Sequence, residues 1–393
     1  MTRSKTMFLA AFLAFAASAW GDDASDAEQL ELQRQDAFRA GFTSIVESLN
    51  SGSFDAFEKA FNRAATLDRI FGLRLIDQRV KQGFRDSMET QFGGMLRAGF
   101  RDSPDGIKAT LLGIESRGDR GRAVVRLDLP DLQFSYHDYD LRLDDKNRVF
   151  INDWVDYLHG GSYLDSVGLS LVMASPSEPA VRKLIDFQNV KSSELFQFTE
   201  LLKAARDRRA DRYVEIVNNL NPELQRQRVA VMTGVQLSKT IRSRRMLRTA
   251  LVQVAKYFPD EPLYSLMLLD YYVPSKMYDE ATAALQRTYA SLGFPDAAME
   301  ARLSAIRLET GNAEDANALA DRAIELEPGL ELAWWSALRA RVALSDFPRA
   351  VAALQELEQQ HGHTLGRAEL ERDKSFAALL ASAEFGAWSA DRP

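Results

Sequence analysis

The chain of 393 residues contains no cysteine and only four histidines. Without cysteine there are no disulfides, thiolate metal ligands, cysteine nucleophiles or lipid-modified N-terminal cysteine. An Asn-x-Ser/Thr glycosylation acceptor is missing too. A phosphate-binding loop, a dinucleotide-binding fingerprint and a Gly-x-Ser-x-Gly elbow are also absent. These absences exclude many enzyme classes, and we expect neither a cofactor nor a metal.

Long apolar runs are scarce, and the run near the N-terminus is short. Arg3 and Lys5 precede apolar residues 7–17, which lead into Ala17-Ser18-Ala19. A spanning helix needs roughly 18 or more apolar residues, so this pattern is typical of a cleaved signal peptide. We expect cleavage after Ala19 and a periplasmic or secreted protein, with retention as an anchor as the alternative. The mature chain would have 47 basic and 56 acidic residues, a formal charge of −9.

The length suggests two domains, and the residue pattern changes along the chain accordingly. Beyond the predicted signal peptide (1–19), residues 26–175 combine helical and strand periodicity, whereas the remainder is helical throughout. We divide the helical part into a divergent section, 176–261, and a more regular section, 262–393. The predicted fold class is therefore an α+β domain followed by an all-α domain.

The α+β domain is predicted as helices followed by an antiparallel sheet. Helical periodicity covers 26–50, 54–62 and 73–98, and strand patterns cover 107–116, 122–128, 133–143 and 149–158. Short turns rich in Gly, Asp and Asn connect the strands, which is typical of hairpins.

The order of these elements, with the last strand Phe150-Ile151-Asn152-Asp153-Trp154, resembles the nuclear transport factor two and ketosteroid isomerase superfamily. This resemblance implies a cone that can hold an acid or base beside an aromatic hydroxyl, with Asp153, Tyr139 and His137 as candidates. Strand alternation puts His137 and Tyr139 on one face and Asp138 on the other, which disfavours a His–Asp dyad. A buried Asp153 held by Tyr139 is the catalytic hypothesis. A cystatin-like or unrelated sheet with surface polar residues is the alternative.

The helical part contains repeats. Alanines at 281, 316 and 350 are separated by 35 and 34 residues, and prolines recur at 222, 259, 295 and 328. Together with Gly311-Asn312-Ala313-Glu314-Asp315-Ala316, this pattern resembles tetratricopeptide repeats, whose period is about 34 residues. Because proline ends a helix, the helix pairs are predicted at 194–220, 223–257, 262–293, 297–327 and 331–361, with a capping helix at 366–384. A non-repetitive helical bundle is the alternative.

The resemblance implies a solenoid whose concave surface binds a protein or peptide, here one in the cell envelope. First helices line that surface in this family, which points to Tyr271, Arg302, Arg307, Arg339 and Arg341 as partner-binding residues. The adaptor hypothesis therefore competes with a catalytic or small-molecule-binding α+β domain tethered by the repeats.

Charge is unevenly distributed along the helical part. Residues 203–248 carry twelve basic and four acidic residues, whereas 257–327 carry five basic and thirteen acidic residues. The two basic clusters are Arg206, Arg208, Arg209 and Arg212, and Arg242, Arg244, Arg245 and Arg248. We expect either an acidic partner or anionic lipid, or else an ordinary solvated helix surface. Nucleic acid is disfavoured by the acidic net charge and the lack of a recognition motif.

Overall fold

A computed structural model describes residues 6–72, 74–100, 106–185 and 190–390, with side chains from Glu28 onward except Glu178. It contains an N-terminal α+β region and a long helical C-terminal half, as the sequence predicts. The predicted signal peptide, residues 1–19, lies before the first residue whose side chain the structure describes. Among the described residues, no helix has both the length and the apolar character needed to span a membrane.

The α+β region begins with helices and continues as a five-stranded sheet. The helices are α1 (Thr6–Asn50), α2 (Asp55–Lys59), α3 (Arg63–Phe71) and α4 (Gln78–Arg97), followed by the 3-10 turn Ala98–Phe100. The strands are β1 (Lys108–Arg117), β2 (Arg120–Leu129), β3 (Gln133–Leu143), β4 (Val149–Asp156) and β5 (Gly161–Ser162). Helices α5 (Tyr163–Ala174) and α6 (Glu178–Leu184) follow. All neighbouring strands are antiparallel, in the order β1-β2-β3-β4-β5.

Both faces of the sheet are covered. Tyr139 and Leu141 of β3 pack against the N-terminal helices, whereas Tyr136 of the same strand packs against the helical half. The alternation predicted for β3 is therefore confirmed. In β2 the five residues 123–127 are all buried, as expected for a strand that is covered on two sides.

The helical half consists of five successive hairpins and a terminal region. The hairpin helices are α7 (Ser192–Arg206) with α8 (Ala210–Asn219), α10 (Arg228–Thr240) with α11 (Arg244–Tyr257), α12 (Pro262–Tyr272) with α13 (Tyr278–Leu292), α14 (Ala297–Glu309) with α15 (Ala313–Leu326), and α16 (Glu331–Ala343) with α17 (Phe347–His361). The short α9 (Pro222–Gln225) precedes the second hairpin. The last segments are α18 (Arg367–Leu370), the 3-10 turn Lys374–Phe376, α19 (Ala377–Leu380) and α20 (Ala383–Ser389).

The repeated alanines occupy equivalent positions in three hairpins. Ala281, Ala316 and Ala350 are each the fourth residue of a second helix, and each is fully buried. A small side chain there allows close approach, as the Ser304 hydroxyl shows by donating to the Ala316 carbonyl at 2.6 Å. The recurring prolines all lie between hairpins or at the first turn of a helix, where proline is tolerated.

The helix predictions were wrong in two regions. The helices predicted at 54–62 and 73–98 are shorter, and residues 63–71, where none was predicted, form a separate helix because the Asn62 side chain accepts from the Ala65 amide. The capping helix predicted at 366–384 is instead broken into short segments. Asp373 and Ser382 each accept a hydrogen bond from a backbone amide two or three residues ahead, and each begins a new turn.

A buried ion-pair network joins the sheet to the helical half. Arg126 of β2 is fully buried and donates to Asp128 at 2.7 Å, Asp296 at 2.6 Å and Glu327 at 2.8 Å. The Tyr136 hydroxyl donates to the same Asp296 at 2.6 Å. Burial alone would lower the pKa of Arg126, but the carboxylates outweigh burial and raise it. These ion pairs and the Tyr136 hydrogen bond therefore hold the sheet and the helical half against each other.

Candidate functional site

One candidate site is a cleft of about 640 Å³ between the α+β region and the helical half, which we call the interdomain cleft. Helix α5 forms one wall and α10 the other. Its apolar lining includes Leu169, Met173, Leu184, Val229, Met232 and Leu263, and its polar lining includes Ser166, Ser170, Gln236 and Thr240. Methionine side chains adapt to different partners, so this lining suits a variable apolar ligand.

The interdomain cleft is elongated. On α5 the lining residues extend from Tyr163 to Met173, and on α10 they extend from Arg228 to Thr240. With a rise of 1.5 Å per helical residue, each wall is roughly 17 to 20 Å long. The cleft is therefore an elongated groove rather than a compact cavity.

Tyr264 of α12 lines the cleft and carries an unsatisfied polar group. Its side chain is fully buried, and its hydroxyl has no hydrogen-bond partner among the described residues. The Arg228 guanidinium lies 5.4 Å from the centre of its ring. A buried hydroxyl without a partner is costly, and because this hydroxyl has almost no accessible surface, the groups around it would have to move before a ligand could bond to it.

Asp156 and His159 line the end of the cleft near β4, and the buried His137 lies close to the same carboxylate. The Asp156 carboxylate is 2.5 Å from His159 Nδ1 and 3.7 Å from His137 Nε2, and it accepts from the Leu158 amide at 2.8 Å. Burial raises the pKa of Asp156, but the interactions with His137 and His159 outweigh it, and the net pKa lies well below the ordinary value of 3.8. Asp156 is therefore an ionised anchor for the turn that follows β4.

We expect Asp156→Asn to cost about 1.5–3 kcal/mol of stability at neutral pH, because it removes the charge from these hydrogen bonds. Because the pKa of Asp156 is lower in the folded state than in the unfolded state, its ionised carboxylate stabilises the fold at any pH above the unfolded-state pKa of 3.8. This stabilisation is lost as the pH falls from there through the folded-state pKa. The difference in free energy of unfolding between wild type and variant should thus persist in mildly acidic buffer and shrink only below pH 3.8. Urea unfolding across this range measures it, and a difference that vanished already near neutrality would contradict the assignment.

The three residues proposed from the superfamily resemblance are all buried, but they do not form the expected site. His137 Nδ1 lies 3.0 Å from the Tyr139 hydroxyl, and both rings pack beside Trp154. Asp153 is not held by Tyr139. It accepts from Arg69 Nε at 2.9 Å, the Ser162 hydroxyl at 2.5 Å and the Trp154 amide at 2.8 Å. Asp153 therefore ties α3 and the start of α5 to β4.

The five residues proposed for partner binding have different environments. Arg302 donates to the Leu132 carbonyl at 3.3 Å and lies over the Phe134 ring, so it contacts the chain's own sheet. Arg341 is buried and donates to Asp321 at 2.9 Å. Arg339 lies 3.5 Å from Asp373, whereas Tyr271 and Arg307 are partly exposed. Arg302 and Arg341 therefore serve contacts within the chain: Arg302 contacts the sheet region, and Arg341 contacts Asp321 of α15 and Arg349 of α17.

The two basic clusters also differ. Arg206 pairs with Asp207 at 2.7 Å, and Arg212 pairs with Glu215 at 2.7 Å. Arg208 has a positive φ in the α7–α8 turn, and Arg209 precedes α8. The second cluster, Arg242, Arg244, Arg245 and Arg248, lies at the α10–α11 turn and on α11. The first cluster is thus partly neutralised by its own acidic residues.

Comparison with models of known protein families and with curated proteins finds no match to this chain. Function therefore has to be inferred from the chemistry of the site itself. The interdomain cleft offers a largely apolar groove with flanking charged groups. In the described part of the chain, no group of three His, Asp or Glu residues has a metal-binding arrangement.

Proposed function

We propose that this protein is an adaptor that holds an extended, largely apolar segment of a partner polypeptide in the interdomain cleft. The observation that carries the proposal is the length of the groove along α5 and α10. At about 3.3 Å per extended residue, a wall of roughly 17 Å accommodates about five residues of partner. Alternating apolar side chains of such a segment would meet Leu169, Met173 and Met232.

The helical half supports the same function. Its hairpins have the spacing and the buried alanines of tetratricopeptide-like repeats, and we assign them to such a solenoid. In repeats of this kind each hairpin stacks on its neighbours and exposes an extended binding surface. Here the sheet covers part of that surface, so the ligand is directed to the groove beside the sheet. The proposed location is the periplasm, after signal peptide cleavage near Ala19.

Peptide selection provides the test, since it works on a partner that has not been identified. Displayed random peptides would be selected on the full chain, and their affinities would be measured for wild type and Ser170→Trp. Ser170 is exposed on α5 and lines the cleft, so an indole there should obstruct the groove without entering the core. We expect peptides rich in apolar residues, and affinity at least about tenfold weaker for the variant, which is about 1.4 kcal/mol.

Ser193→Trp is the matched control, because Ser193 is an exposed serine on α7 outside the cleft lining. Tyr264→Phe is a second arm. It should lower neither the free energy of unfolding nor the peptide affinity, because the hydroxyl it removes is both unsatisfied and buried. Equal binding to wild type and Ser170→Trp would exclude the groove as the peptide site.

A further inference from the structure

The hairpin of α10 and α11 has a charge composition unlike the rest of the chain. Residues 224–259 contain eight basic residues and no Asp or Glu. The basic residues are Arg226, Arg228, Lys239, Arg242, Arg244, Arg245, Arg248 and Lys256. Such a one-signed segment produces a local positive potential, although the whole chain is acidic.

Four of these residues lie apart from the acidic side chains that the structure describes. We call Arg242, Arg244, Arg245 and Arg248 the basic ridge; all four are exposed. Among the residues that the structure describes, none of their guanidinium groups forms an ion pair or a side-chain hydrogen bond. Arg226, which precedes the hairpin, and Arg228, the first residue of α10, in contrast pair with Glu223 and Glu261. The uncompensated charge is therefore concentrated at one end of α11.

The position of the basic ridge is electrostatically unfavourable for the isolated fold. Arg244 and Arg245 occupy the first turn of α11, where the helix dipole is positive and where acidic residues are favoured. The side chains also repel each other, since residues three and four apart on a helix are neighbours. An external anion would relieve both effects.

The shape of the ridge favours a flat anionic surface over a compact ligand. Arg244, Arg245 and Arg248 share an open depression with Thr249 and Val252, and every residue lining it belongs to α11. No second element in the described part of the chain provides an opposite wall for a peptide or a small anion. Val252 is 38% exposed beside the arginines, an apolar contact suited to the headgroup boundary of a bilayer.

We propose that the basic ridge docks the protein on a bilayer that contains anionic phospholipid. Guanidinium groups donate in a fixed fork that matches phosphate oxygens, so arginine is well suited to lipid headgroups. The ridge lies on α11, whereas the interdomain cleft is lined by α10, and the two sites serve different ligands. Docking would hold the cleft near the membrane without occupying it.

Vesicle co-sedimentation of the full chain tests this proposal. Wild type should bind vesicles in which phosphatidylglycerol replaces a third of the phosphatidylcholine, should not bind pure phosphatidylcholine, and should dissociate as salt is added. The variant Arg244→Gln, Arg245→Gln, Arg248→Gln should partition roughly 100-fold less, from a loss of roughly fivefold per arginine near the surface. The corresponding triple Glu variant should bind still less.

A charge-matched control separates the ridge from the net charge. Arg117→Glu, Arg120→Glu and Lys146→Glu change the net charge as much as the triple Glu variant does, at exposed hairpin turns of the sheet. This control should retain most of its vesicle binding. Equal loss in both Glu variants, or wild type that ignores anionic vesicles in low salt, would overturn the proposal. Binding of polyglutamate but not of vesicles would also overturn it and would assign the ridge to an acidic protein.

Discussion

Arg126→Met should lower the free energy of unfolding by about 3–5 kcal/mol, the cost of breaking a buried ion-pair network from one side. The guanidinium is fully buried and contacts three carboxylates, of which the Asp296 side chain is also fully buried. Methionine fills a similar volume but leaves those carboxylates without a cation. Because Asp296 and Glu327 belong to the helical half, the variant should also loosen the contact between the two halves.

The control for this prediction is Arg148→Met. Arg148 pairs with Asp144 at 2.7 Å, but its side chain is 67% exposed, so the loss should be only about 0–1 kcal/mol. Urea unfolding of both variants under one set of conditions makes the comparison. Similar small losses in the two variants would mean that the Arg126 network does not hold the interface together.

Gly160→Val should cost about 2–6 kcal/mol and should disturb the interdomain cleft directly. Gly160 has φ +71°, a conformation that a β-branched residue adopts only with strain of about 1–3 kcal/mol. A Cβ there would also lie 2.7 Å from Met232 Cε and 2.9 Å from Tyr264 Cε1. Overpacking of this kind adds about 1–3 kcal/mol. Hydrogen exchange in α10 should accelerate, since the substituent pushes that wall away from the sheet.

Gly161→Val provides a neighbouring control. Gly161 lies in β5, has no positive φ, and a Cβ added there would meet nothing within 4 Å. We expect a change of no more than about 0.5–1 kcal/mol, typical of a surface site. If both valine variants unfolded at the same urea concentration, close packing at Gly160 would not be what sets the position of α10.

Local patterns predict most of the elements in this fold. Period-2 alternation predicts strands β1 to β4, and proline spacing predicts the helical hairpins. Both signals arise from residues that are close together in the sequence. The errors occur where one polar side chain starts a helix, as Asn62 and Ser382 do. Such a cap depends on a single residue and leaves no periodic signal.

Contacts between distant segments were not predicted. Arg126 and Asp296 pair in the interface although they lie 170 positions apart in the chain. Many other arginine and aspartate residues of this chain are exposed, so residue type alone does not indicate that these two are buried. The run 123–127 of β2 is buried throughout, but it contains Arg126, so the sequence does not show the continuous apolar pattern of a strand that is covered on both faces. Without that pattern, Arg302 looked free to bind a partner, although it contacts the sheet.

The candidate site was only partly predictable for the same reason. Strand alternation correctly predicts that His137 and Tyr139 share a face, but it does not predict the pairing of Asp156 with His159, because Asp156 ends β4 and His159 lies in the turn that follows. Their spacing of three residues was the signal that could have paired them. The interdomain cleft itself is formed by α5 and α10, which are separated by more than fifty residues and by two other hairpin helices.

The most direct test of the adaptor proposal is photocrosslinking in the cell envelope from the two walls of the interdomain cleft. A photoreactive amino acid at Leu169 of α5 and another at Thr240 of α10 should capture the same polypeptide through the same segment. One at the exposed Glu314 of α15 should not capture it. Crosslinks to that polypeptide from Glu314 but from neither wall would contradict a groove that holds a partner.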